Sequence, residues 1–256
     1  WLVPATVPLS DLASFSVWSA CVVSTGSYFV GQACVFHVLT RADASRLSPL
    51  LGLKIIALAL LVTVVLRQPL APLQWLAVGL CGTAAVVLQR GGSGIPPKQL
   101  ALLAFGCCCF AVADLGIVAL IDALEATVPI SRLQAGSLAM ALTYVLGGVL
   151  VLPLAAAEYG RRQPPNAGDW LAAAEYSAAW LTAMVSLYAC IGTVGVVLST
   201  ILQSTRGVMS VALGAVFAHL GWHELEGRVD RVMFAKRLVA ALLMTAAIAA
   251  YVWDAG

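Results

Sequence analysis

The chain has 256 residues, of which 61% are apolar and only 10% charged, too few charges to cover a soluble protein of this length. A net charge of +2 with no basic stripe gives no ground for a nucleic-acid partner. All seven cysteines lie inside apolar runs, so they read as packed thiols and not as a disulfide framework.

The apolar runs recur along the whole chain and are continuous, not alternating. That predicts an all-α polytopic membrane protein and argues against a β-barrel. Eight spanning segments are expected, at roughly 14–39, 47–66, 73–89, 100–121, 134–157, 171–199, 203–221 and 233–253.

The first segment is unusually polar for lipid. Trp18, Cys21, Thr25, Tyr28 and Gln32 recur at spacings of 3, 4, 3 and 4, which places them on one helix face. Such a face is expected to meet either a cavity or a neighbouring helix. In the second segment Lys54 lies about two turns inside the start, where it can pair with Asp114, bind an anionic group or snorkel to an interface. Arg67-Gln68-Pro69 then forms a turn, and Trp75 sits at the start of the next segment, where an amphipathic ring prefers the headgroup zone.

The segment 100–121 carries two conspicuous features. Cys107, Cys108 and Cys109 are adjacent, but neighbouring helical residues point about 100° apart, so they cannot converge on a metal. Asp114 is the deepest acid in the chain. An ionised carboxylate at mid-membrane costs a few kcal/mol, about 3 by insertion scales, so it calls for a reason. That reason is a substrate-amine or proton site, or else a structural interhelical bond.

Segment 134–157 contains Gly147-Gly148, and 171–199 contains Gly192 and Gly195, which serve close packing or hinging. Glu175 reads as interfacial. A very tight turn is expected near Thr200. Arg206 opens the next segment and either binds a carboxylate or phosphate there or anchors the turn. Ser210, Gly214 and Ala218 form a packing stripe. His219, His223 and Glu224 sit at a helix end in an order that does not suggest a metal site.

Two stretches look like copies of one another. Ser48-Pro49 through Val86 resembles Arg206-Gly207 through Ile248, at an offset of 158 residues that becomes 162 after the turn. At the first offset, Asp11-Leu12 falls on Asp169-Trp170, Trp18 on Tyr176 and Ser19 on Ser177. The expected division is 1–92, a first repeat lacking its first two helices, and 93–256, a complete second repeat of five helices. Two helices are thus expected ahead of Trp1, on the order of 60 residues. Arg41, Arg46, Arg90, Lys98, Arg161, Arg162, Arg228, Arg231, Lys236 and Arg237 share one face; Arg67, Arg132 and Arg206 share the other. The positive-inside rule puts the richer face in the cytoplasm and the C-terminal end outside.

These features resemble the drug/metabolite transporter superfamily in its EamA-like branch. The residues that carry the resemblance are Ser48-Pro49, Pro69-Leu70, Gln74-Trp75-Leu76 and Gly79 in the first repeat. In the second they are Leu202-Gln203-Ser204, Arg206-Gly207, Leu220-Gly221 and Glu224. Two departures stand out: no glutamate follows the helix ending at Leu66, and Trp222 and His223 precede Glu224. The resemblance implies two repeats of a five-helix bundle, ten transmembrane helices in full with about eight here. It also implies a secondary transporter of small metabolites, working without a cofactor.

No nucleophile–His–acid set, phosphate loop or nucleotide fingerprint is present in the sequence, so a non-enzymatic role is expected. The expected partners are a small-molecule substrate and the lipid bilayer, with a homodimer left open. The expected location is the cell (inner) membrane. Asp114, Lys54, Arg206 and the face formed by Trp18, Thr25, Tyr28 and Gln32 are the candidate substrate-binding residues. The alternative is an integral-membrane enzyme acting on a lipid or lipid-linked substrate, for which His223, Glu224 and Asp230 are the only candidate group.

Overall fold

A computed structural model describes residues 12–40, 51, 54–89, 96–159 and 166–204, together with 209, 236, 239, 240, 242, 243, 246, 247 and 250. Among the described residues the chain is wholly helical. Among the described residues the helices with set bounds are α1 (Phe15–Leu39), α2 (Lys54–Val65), α3 (Pro72–Gln89), α4 (Pro97–Thr127), α5 (Arg132–Tyr159), α6 (Ala167–Val194) and α7 (Val196–Ser204). Four of these, α1, α4, α5 and α6, are long and apolar enough to cross a membrane. Their length and composition mark an integral membrane protein. The expected segments 203–221 and 233–253 fall almost entirely outside the described residues, as does most of the second copy of the repeat.

The helices start where local chemistry permits. Ser131 opens α5 with a capping box: its backbone N–H donates to Gln134 Oε1 at 3.1 Å, and its hydroxyl accepts from the Gln134 N–H at 3.4 Å. Asn166 and Asp169 make the same reciprocal pair at the start of α6, at 2.9 and 3.0 Å. Within the helices, hydroxyl groups turn back on their own backbone, as lipid requires. Thr63, Thr127, Thr182, Ser186 and Thr193 each donate to the carbonyl four residues earlier.

Three expected boundaries move. The segment 171–199 is two helices, because Gly195 breaks it with φ 83° and ψ 165°, a conformation open to glycine and strained for any L side chain. Thr200, expected at a turn, is inside α7. Helix α4 continues to Thr127 because Asp122 and Glu125, which are polar enough to suggest a loop, stay helical and hold Arg132 across the turn at 2.8 and 2.6 Å. Lys54 is the first described residue of α2, and the residues before it that would set its depth in the segment 47–66, 47–50, 52 and 53, lie outside the described residues. Just beyond α2, Arg67 takes a left-handed φ of 52°.

The chain falls into two compact units. The first combines Trp1–Gly26 with Ala113–Val196, and the second combines Ser27–Val112 with Val197–Gly256. In the first unit α1 lies against α4 at Gly116, where an added Cβ would come within 2.8 Å of Ser24 Cβ and 2.9 Å of its backbone N. Ser24 Oγ donates to the Ala113 carbonyl at 3.1 Å at the same place. Helices α5 and α6 form a hairpin whose backbones close at Gly136, beside the Tyr188 carbonyl. Beyond Tyr144 the outer part of the hairpin exposes Val145, Val149, Leu152, Leu154, Trp170 and Leu171, a surface suited to lipid. In the second unit, Val35, Val38 and Leu103 form a buried cluster covered by Leu39, Leu102 and Phe110.

Candidate functional site

The site forms inside the first unit, from helices that the close α1–α4 contact and the α5–α6 hairpin hold together. Asp114 follows Ala113, the residue whose carbonyl receives the Ser24 hydroxyl. Counting along α4 from Pro97 to Thr127, it has about 26 Å of helix before it and about 20 Å after it. It is only 7% exposed. Asp114 is therefore central on a membrane-length helix and buried.

Thr25 follows Ser24 on α1 and is 5% exposed. Its Oγ1 has no hydrogen-bond partner. The Cys21 thiol, one turn earlier, is a polar neighbour but does not meet hydrogen-bond geometry. This sets Thr25 apart from Thr63, Thr127, Thr143, Thr182 and Thr193, all of which satisfy themselves on their own helix. A buried hydroxyl without a partner costs about 1–3 kcal/mol and invites a polar ligand atom.

Tyr188 on α6 completes the group at 5% exposure. Its hydroxyl lies 2.9 Å from Thr143 Oγ1 on α5. Thr143 spends its single hydrogen on the carbonyls of Ala139 and Met140, at 3.0 and 2.9 Å. When Thr143 directs that hydrogen to either carbonyl, the Tyr188 O–H donates to Thr143; in either direction the phenol oxygen keeps a lone pair to accept with. Tyr188 lies within electrostatic reach of Asp114, Cys21 and Tyr144. Tyr188 thus has the Asp114 carboxylate and the Cys21 thiol within electrostatic reach, and that thiol neighbours Thr25 with its unsatisfied hydroxyl. Such a group can hold an ammonium or pass a proton; among the described residues no cluster of three metal-ligating side chains exists.

The other expected site residues are placed differently. Trp18, on the same face of α1, is exposed. Tyr28 and Gln32 are half-buried and belong to the second unit. The Tyr28 ring packs on Phe110, with centroids 5.7 Å apart, so at that level the polar face meets a neighbouring helix. Lys54 is also in the second unit, buried, with its backbone N–H and its charge both close to the Cys107 thiol. Of the three adjacent cysteines, Cys107 is buried, Cys108 exposed and Cys109 between, as their divergent directions require. Arg206 lies outside the described residues, as do His223, Glu224 and Asp230.

Tyr188 and Thr143 were not among the residues that the sequence singled out. One signal was available: Tyr176, Trp180, Met184 and Tyr188 recur at every fourth position of α6. No family model matches the chain, and no curated protein matches it.

Proposed function

We propose that this chain is a secondary transporter or exporter that carries a small metabolite or drug across a membrane by alternating access. The observation that supports it most is the buried, unsatisfied Thr25 hydroxyl, beside the Cys21 thiol that, with Asp114, lies within electrostatic reach of Tyr188, all on helices of membrane-spanning length. A buried hydroxyl left unsatisfied costs about 1–3 kcal/mol, which a ligand atom completing it during the working cycle would offset.

In this reading the substrate sits near mid-membrane and Asp114 contacts a cation or carries a proton. The chain is an EamA-like permease of the cell membrane, with about eight spans, three in the repeat before residue 92 and five in the repeat after it. Rocking one repeat against the other exposes the site to each side in turn. The driving force is an ion gradient or the gradient of the solute itself.

A thermal-shift screen of the detergent-purified protein against amino acids, polyamines, nucleotide sugars and organic cations tests the proposal. A ligand that binds only the folded state adds about 2.7 kcal/mol of stability at a hundred times its Kd. The proposal expects a hit that is lost in Asp114→Asn and is carried into vesicles by the unmodified protein. Binding that persists in Asp114→Asn would remove the site, and binding without movement across vesicles would remove transport.

A further inference from the structure

Tyr176, Trp180, Met184 and Tyr188 recur at every fourth position of α6, each beside the last and turned about 40° further round the helix. The Tyr176 and Trp180 rings stack with centroids 6.2 Å apart and planes 20° apart. The Trp180 indole N–H donates to the Tyr144 hydroxyl on α5 at 2.8 Å. Tyr144 in turn lies within electrostatic reach of both Tyr176 and Tyr188. Exposure falls along the row, from 69% at Tyr176 through half-buried Trp180 and Met184 to 5% at Tyr188. The row thus leads from exposed Tyr176 to buried Tyr188, which has Asp114 within electrostatic reach.

Position rules out the ordinary use of such rings. Trp170 sits near the first turn of α6, where an interfacial belt belongs. Trp180 lies about 20 Å along the same helix, too deep for the headgroup zone. Hydrocarbon contact alone would be served by leucine, which carries no N–H or O–H to satisfy. With the Trp180 N–H and the Tyr188 O–H already engaged, these residues still offer π faces, and a π face attracts cations. A thioether in the same row adds a polarisable, adaptable contact.

We propose that this aromatic row, closed at its inner end by Tyr188, Thr25 and Asp114, is a binding track for organic cations bearing an ammonium group. The inference rests on the transporter reading and names its substrate class. The ammonium would pass from the stacked Tyr176–Trp180 pair to the inner group, where the Asp114 carboxylate balances its charge. The unsatisfied Thr25 hydroxyl and the spare lone pair of Tyr188 are polar groups available to a primary or secondary amine. Anions of the same size would find neither attraction.

The test is equilibrium binding of benzyltrimethylammonium to the purified full chain in detergent, with benzylsulfonate as the anionic counterpart. Saturable binding of the cation and none of the sulfonate is expected. Trp180→Leu should weaken it at least fivefold and Asp114→Asn at least tenfold. Trp180→Tyr, which keeps a π face, should stay within about threefold of the parent. Trp170→Leu, outside the row, should bind unchanged. Equal weakening by Trp170→Leu and Trp180→Leu, or equal binding of both probes, would overturn the track. If no organic cation binds while vesicles holding the protein still take up another solute, the track fails and transport stands. If the cation binds as expected but no solute crosses vesicles, the track stands and transport fails.

Discussion

Gly116→Ala probes the contact that positions Thr25 and Asp114. An alanine Cβ there would sit 2.8–2.9 Å from the Cβ, Cα and backbone N of Ser24. Ordinary van der Waals contact begins near 3.4 Å, so α1 and α4 must separate locally by about 0.5 Å. The obstruction is largely backbone and cannot rotate away, and overpacking of this kind costs about 1–3 kcal/mol. The same movement stretches the bond from Ser24 Oγ to the Ala113 carbonyl from 3.1 Å to about 3.6 Å, beyond useful range. A membrane interhelical hydrogen bond contributes about 0.6–1 kcal/mol. Alanine recovers up to about 1 kcal/mol of helix propensity, which leaves a net loss of roughly 1–3 kcal/mol. Gly148→Ala is the control: nothing lies within 4 Å of its added Cβ, so it should be neutral or slightly stabilising. Thermal unfolding of both variants in one detergent measures the difference. If Gly116→Ala unfolds at the same temperature as Gly148→Ala, the close α1–α4 contact is wrong, and the site built on it loses its frame.

Thr25→Val keeps the side-chain shape and removes the unsatisfied hydroxyl. It should raise the melting temperature of the unliganded protein, by up to about 1–3 kcal/mol in free energy, while weakening substrate binding. A lower melting temperature would mean that the hydroxyl already has a structural partner. Gly195→Ala places a Cβ at φ 83° and ψ 165° and should destabilise by about 1–3 kcal/mol, read by the same unfolding assay. Arg132→Gln removes two bonds at 2.8 and 2.6 Å, but Arg132 is nearly half exposed. Its loss should cost under about 1 kcal/mol and matter less at high salt.

The helices were most legible where lipid dictates the pattern. The reading of 14–39 became Phe15–Leu39, and 73–89 became Pro72–Gln89, because long apolar runs bounded by Ser or Pro leave few alternatives. Apolar periodicity runs straight through Gly195, however, and only the backbone angle reveals the break. The end of α4 was misplaced because the pairing of Asp122 and Glu125 with Arg132 depends on a tertiary contact. Asp114 was legible as a lone acid in an apolar run. Thr25 was legible only as one member of a stripe, since its lack of a partner is a geometric fact. Tyr188 could not be placed within electrostatic reach of Asp114 without knowing the tertiary packing that includes the close approach of α5 and α6 at Gly136.

Transport itself is tested most directly by exchange of a labelled screening hit across proteoliposomes containing the parent chain or Asp114→Asn. The parent should exchange the label at a rate that saturates with concentration, and Asp114→Asn should fall to the rate of empty vesicles while remaining folded. Equal exchange by the two proteins, or none by the parent for a solute that it binds, would contradict a transporter built around Asp114.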